Sequence, residues 1–272
     1  MSRLAHPARL RPGFFLVLLY CWFCPHVWAG DASSASGAIF HAPETVAAWQ
    51  QQIEQTLEPG HTTLAIIART GRPRSQLPDD MRYVHSAYLV YEPAVAADGE
   101  IVEQWFTYQL FRDAEDKHHS HLAVQPLAEF LAGSCEADVG VLVPVPVLQQ
   151  KTLTALREHG GELRREAYHL LANPHRMQFE NCNTWMLRVL FAGLYDTTDD
   201  ARLTADMRAY FQPQVVELGL WYRLGGGLAD VLEGEDKGPN GYQTATFTSF
   251  ERFLQQQGLL EHAYTFAIPP ED

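Results

Sequence analysis

A single cysteine stands between two asparagines in FENCNTWML (Phe179 to Leu187), at a point where a helix is predicted to begin. Asn181 is a good helix-start residue, which places Cys182 at or near the first helical position. A thiol there meets the unpaired amides and the positive end of the helix dipole, which favour the thiolate, the nucleophilic form. The same amides can stabilise an oxyanion. The spacing that follows gives a second reading. Cys182, Trp185, Met186, Val189, Leu190 and Gly193 share one helical face while Arg188 points elsewhere, so the cysteine also fits a buried stripe as a small hydrophobe. A third is a disulfide with Cys135.

A nucleophilic thiol needs a base, usually a histidine that takes its proton and later protonates the leaving group. His85 differs from the other histidines by lying near the start of an apolar and aromatic segment, where alternation groups it with Tyr83, Ala87 and Leu89. A third polar group would hold the imidazole in one tautomer. Antiparallel pairing of the His85 strand with the next one puts Thr107, Gln109 and Asp113 in range. Gln109 is preferred, because Trp105, Thr107 and Phe111 alternate with it on a face that reads as buried.

The elements that must position these residues are legible as patterns. PETVAAWQQQIEQTL carries Val46, Trp49, Ile53 and Leu57 at spacings of three and four, an amphipathic helix. TTLAIIAR (Thr62 to Arg69) reads as a buried strand, followed by a Gly, Pro and Asp loop. RYVHSAYLVYE (Arg82 to Glu92) and GEIVEQWFTYQLFRD (Gly99 to Asp113) form an antiparallel pair around the turn PAVAADG. VGVLVPVPVL ends in prolines that suit an edge or a strand end, and the helix LQQKTLTALREHGG stops at Gly160 and Gly161. Downstream come the cysteine helix, one or two helices from Leu203, a Gly and Pro-rich stretch from Gly225 to Gly241, and a helix with Thr248 and Glu251 as its capping box. AYTFAI closes the chain as a strand. Helices and strands do not alternate as in a doubly wound sheet, so the predicted class is α+β.

The first 29 residues read as an export signal: Arg3, Arg9 and Arg11 precede the apolar run FFLVLLYCWF, and VWA offers a cleavage point. A bilayer span needs about 20 apolar residues, so neither this run nor any later segment is expected to remain as a membrane span. Residues 30–272 then form one domain, with a C-terminal extension from about 195. The leader holds three of the 20 basic residues and none of the 33 acidic ones, which takes the net charge from −13 to −16 (17 against 33). Such acidity argues against nucleic acid and anionic membrane as partners.

Two further signals are weak. HHSH (His118 to His121) offers His119 and His121 on one side of an extended chain, but the flanking RDAEDK reads as a solvated loop, and no metal or other cofactor is expected. LGGGL (Leu224 to Leu228) lacks the Lys and Ser or Thr of a phosphate loop and reads as a turn. Trp221, Tyr222 and Tyr242 fit core packing more simply than a pocket.

The order of VHSAYLVY, a second strand, and then ENCNTWMLRVL far downstream resembles the circularly permuted branch of the papain-like superfamily. That branch includes the NlpC-type cysteine hydrolases and the lecithin retinol acyltransferase group. EAYHLLANPHRMQFENC is also similar to a family of exported bacterial proteins of unknown function. The resemblance covers roughly Thr62 to Leu194 and implies a permuted papain-like core, an antiparallel sheet against the nucleophile helix, with Cys182 as nucleophile and His85 as base. The expected function is an exported (periplasmic or secreted) thiol hydrolase, amidase-like or peptidase-like, acting on a peptide or acyl substrate through an acyl-enzyme. Cell-wall peptides are one substrate class the resemblance suggests. The alternatives are a noncatalytic peptide-binding or lipid-binding module, and an acyltransferase or thioesterase on the same fold.

Overall fold

The computed structural model describes residues 39–216, 237–238 and 241–268, apart from 59, 79, 97, 98, 117 and 177. The expected leader lies outside the described residues, as do Trp221, Tyr222 and LGGGL. The elements run α1 (Pro43–Leu57), β1 (Leu64–Arg69), β2 (His85–Val95), β3 (Ile101–Arg112), β4 (Ser120–Pro126), α2 (Leu127–Ala132), β5 (Asp138–Pro144) and α3 (Pro146–His159). They continue with α4 (Cys182–Tyr195), α5 (Asp200–Tyr210), β6 (Gln214–Val216), β7 (Lys237–Gly238), β8 (Gly241–Thr244), α6 (Phe247–Gln256) and β9 (Leu260–Ala267). A six-stranded antiparallel sheet in the order β4-β3-β2-β1-β5-β9 organises the molecule, and β6-β8-β7 form a small second sheet. The fold is α+β, as the patterns predict.

Both faces of the large sheet are covered. On one, Val46, Trp49 and Ile53 of α1 and Leu127, Phe130 and Leu131 of α2 pack on Ile67, Ala87, Leu89, Trp105 and Val141. On the other, α3, α4 and α6 pack on Leu64, Ile66, Tyr88, Val90 and Leu142. This explains why LAIIAR is apolar without alternation: every residue of β1 is buried, on one side or the other. It also explains α4, whose buried residues run all round the helix and include Arg188. A helix enclosed in this way needs no polar stripe. Arg188 is therefore inside, with its guanidinium 2.7 Å from Asp200 and 3.9 Å from Glu180.

Gly193 sets how closely α3 and α4 can approach, because a Cβ there would lie 2.7 Å from the Lys151 carbonyl oxygen. The residues beyond 195 complete the core. Leu203, Met207, Phe250 and Phe253 join the α4 side, and β9 pairs with β5 along Asp138 to Pro144. The proline-bearing β5 is thus an interior strand, and its register shifts at Val143 and Pro144, where the missing amide donor is tolerated. The last helix is capped two residues earlier than its sequence suggests. Thr246 accepts from the Ser249 N–H, and Ser249 Oγ accepts from the Thr246 N–H, so Thr248 sits inside the first turn.

Candidate active site

The start of α4 is built as its sequence predicts. Asn181 is extended, its side chain accepts from the Thr184 amide at 2.9 Å, and the Thr184 hydroxyl accepts from the Asn181 amide at 2.7 Å. The Asn181 Nδ2 donates to Leu170 O at 2.9 Å and to Thr244 Oγ1 at 3.1 Å. One side chain thus caps the helix and ties it to two other segments. Cys182 follows as the first helical residue. Neither Cys182 nor Cys135 is in a disulfide, so the disulfide reading does not describe this structure.

Glu180, just before the cap, is buried. Its carboxylate accepts from the Arg165 amide at 2.9 Å. Burial pushes its pKa up to about 8, against the opposing effects of that amide and the nearby Arg188.

His85 opens β2. Its Nε2 lies 2.8 Å from Gln109 Oε1. The tautomer follows from the groups behind Gln109. The Thr107 hydroxyl donates to the Gln125 carbonyl at 3.1 Å, so it can only accept from Gln109, whose Nε2 lies 3.0 Å away. That nitrogen also donates to Gln125 Oε1 at 2.8 Å. Gln109 therefore turns its oxygen to the histidine, His85 donates from Nε2, and Nδ1 is the basic nitrogen of the neutral ring. Phe111 stacks on the imidazole with ring centroids 5.1 Å apart, and Phe130 lies on it at 6.0 Å.

The register explains why the diagonal choice of Gln109 works. Tyr88 pairs with Tyr108, and continuing that ladder sets Phe111 opposite His85, with Gln109 one diagonal step away on the same face. Asp113 instead pairs with His121. His119 lies 2.7 Å from Asp116, and His121 belongs to β4 rather than to a loop.

The thiol and the imidazole approach β2 differently. Cys182 Sγ lies 3.9 Å from the carbonyl oxygen of Val84, the residue before His85. Cys182 belongs to the core on the α3 and α4 face, whereas His85 shares the Phe130 side with Ala87 and Leu89. Alternation also fails at Tyr83, which packs edge-on against Phe247 on the Cys182 side. The reason is local. The Val84 amide donates to Arg69 O, although Arg69 pairs with His85, so two residues of this chain face one of β1. A bulge of this kind reverses the faces before and after it.

A cleft of about 60 Å³ opens on Cys182. Its walls include Leu77, Met81, Leu170, Leu171, Val216 and Ala245. Tyr83 and the α6 cap Thr246 also line it. Burial, reinforced by Asp138, pushes the Tyr83 phenol up to about 12, so it is neutral at physiological pH. Sequence reasoning missed these lining residues. The sole signal for one of them was the capping pattern at Thr246, which was read two residues late. Tyr242 stacks against His169 instead, with centroids 6.1 Å apart.

The family described as "Uncharacterized protein conserved in bacteria (DUF2145)" matches residues 56–254, most of the chain. The chain belongs to the DUF2145 family. The DUF2145 match runs from the end of α1 into α6 and takes in Cys182, His85, Gln109 and the whole described lining of the cleft. No curated protein and no solved structure matches the chain.

Proposed function

We propose that this chain is an exported thiol hydrolase in which Cys182 is the nucleophile, His85 the base and Gln109 the group that orients His85. One observation carries the reading: Cys182 begins a capped helix, opens on a cleft, and touches the residue next to a histidine whose tautomer is set by Gln109. The resemblance to the permuted papain-like hydrolases, with the histidine strand ahead of the cysteine helix, supports the same roles.

In the proposed reaction, substrate binding brings the start of β2 to the thiol, His85 Nδ1 takes the thiol proton and the sulfur attacks a carbonyl carbon. As the S–C bond forms, the carbonyl electron pair moves to oxygen. The first amides of α4, those of Cys182 and Asn183, are the donors placed to receive that charge, since the Thr184 amide is taken by the cap. The bond to nitrogen or oxygen then breaks, and the leaving group takes the proton from His85. Water, deprotonated by His85, attacks the thioester; the C–S bond breaks, the acid leaves and the thiol is restored.

A second reading is a noncatalytic binding module using the same cleft. The observation that favours it is the packing of the His85 ring between Phe111 and Phe130, on the sheet face away from the Cys182 core. Labelling with iodoacetamide at pH 7, followed by peptide mapping, separates the two. Under the hydrolase reading Cys182 reacts at least about tenfold faster than Cys135 and His85→Ala removes the difference. Equal rates with no effect of His85→Ala would leave the binding module.

A further inference from the structure

We infer that Glu180 controls the nucleophile through its proton: with the carboxyl neutral the start of α4 favours the Cys182 thiolate, and with the carboxyl ionised the thiol keeps its proton to higher pH. This rests on the reading of Cys182 as the nucleophile. Glu180 directly precedes the Asn181 cap, and its carboxyl is fully enclosed. Oε2 accepts from the Arg165 amide at 2.9 Å, while Oε1 has no hydrogen-bond partner among the described residues. The main chain is pinned as well. The Glu180 amide donates to Ala167 O at 2.9 Å, and its carbonyl accepts from the His169 amide at 3.0 Å. The carboxyl is thus held beside the helix start, and it answers a change of pH by taking or losing a proton.

Among the described residues three arginines face this carboxyl, and each is engaged elsewhere. Arg188, from α4, lies 3.9 Å from Oε1, but its Nε donates to Leu163 O at 2.8 Å and its Nη2 to Asp200 of α5 at 2.7 Å. Arg165, from the segment ahead of Glu180, gives its guanidinium to the same Asp200. Arg164 donates to Ser120 O at 2.6 Å. A buried carboxylate short of hydrogen bonds is costly, so burial holds Glu180 neutral well past the usual carboxylate range.

A helix start carries about half a positive charge, which favours a thiolate at its first residue. An ionised Glu180 sets a full negative charge just ahead of that start and offsets it. Two such groups titrate as a pair. Each ionisation delays the other, and the two protons leave over a wider span of pH than either would alone. The nucleophile is therefore favoured on the side of pH where the carboxyl holds its proton.

The test follows iodoacetamide alkylation of Cys182 in the purified full chain from pH 6 to 9.5, in the parent and in Glu180→Gln, which keeps an acceptor for the Arg165 amide. The two proteins should react equally at pH 6, and Glu180→Gln should be about three- to tenfold faster near pH 8.5. A rate ratio that stays constant across the range, or a slower Glu180→Gln, overturns the inference. A second readout needs no variant: the infrared band of a protonated carboxyl should persist at pH 7, where ordinary carboxylates are ionised. Carbamidomethylation of Cys182 removes the thiol charge and should shift the loss of that band to lower pH, by about the same three- to tenfold in proton concentration. A band that does not move, or that is absent at pH 7, overturns the inference. Fast Cys182 labelling beside any of these negative results leaves the thiol hydrolase standing. Labelling of Cys182 no faster than Cys135 at any pH overturns both.

Discussion

His85 and Gln109 sit one diagonal step apart on neighbouring antiparallel strands, joined by a 2.8 Å contact from Nε2 to Oε1. Thr107 and Gln125 hold the other end of the amide, and the His85 ring packs against Phe111 and Phe130. Replacing Gln109 with Ala leaves a buried ring N–H and the Gln125 oxygen short of a partner. The expected cost is about 1–3 kcal/mol in urea unfolding. If Gln109 also orients the base, Gln109→Ala slows Cys182 alkylation at pH 7 toward that of His85→Ala. Loss of stability with an unchanged alkylation rate would mark Gln109 as structural only.

Cys135 is an internal control for the thiol chemistry. Burial, with Glu136 beside it, raises its pKa, so it is mostly protonated at pH 7 and should alkylate slowly. Cys182→Ser should abolish fast labelling and leave the Cys135 rate unchanged, as read by intact mass over time. Persistence of the fast phase in Cys182→Ser would assign it to another residue.

Glu180 predicts a pH dependence of stability with a definite sign. Its pKa rises from 4.5 to about 8 on folding, so between those values the folded chain holds a proton that the unfolded chain has lost. Its contribution is fully present below pH 4.5, is lost as pH rises toward about 8, and changes no further above that. Thermal unfolding of Glu180→Gln should therefore depend less on pH across this window, and the variant should melt above the parent at pH 9. Parallel Tm curves for the two proteins would show that Glu180 titrates normally.

Gly193→Ala should destabilise the fold by about 1–3 kcal/mol despite its better helix propensity, because the new Cβ meets the Lys151 carbonyl at 2.7 Å and α3 must move. Chemical denaturation checks the magnitude. An unchanged or raised midpoint would mean that the two helices separate without cost.

Much of this was readable in the chain. The Val46, Trp49, Ile53 and Leu57 stripe located α1, the unbroken run in LAIIAR identified a strand covered on both faces, and Asn181 located the start of α4. Alternation offered Gln109 as one of three candidates, but only the register, with Tyr88 opposite Tyr108, puts it on the face of His85. Other elements were hidden. β4 lay behind a charged stretch, since an edge strand needs little apolar sequence, and α2 is too short for helical periodicity to show.

Local rules thus determined the elements, the cap that places Cys182 at a helix start, and the antiparallel pairing of the His85 and Gln109 strands. These depend on neighbours in sequence or on a fixed period. Tertiary structure alone decided the rest. A bulge at Val84 sends Tyr83 and His85 to different faces, and Arg188 is held inside by donating to the Leu163 carbonyl and to Asp200. The apolar cleft is assembled from segments more than a hundred residues apart, and no local pattern encodes that convergence. It follows from how the start of α4, the cap of α6, the small sheet and the loops ahead of β2 and α4 meet at one end of β2.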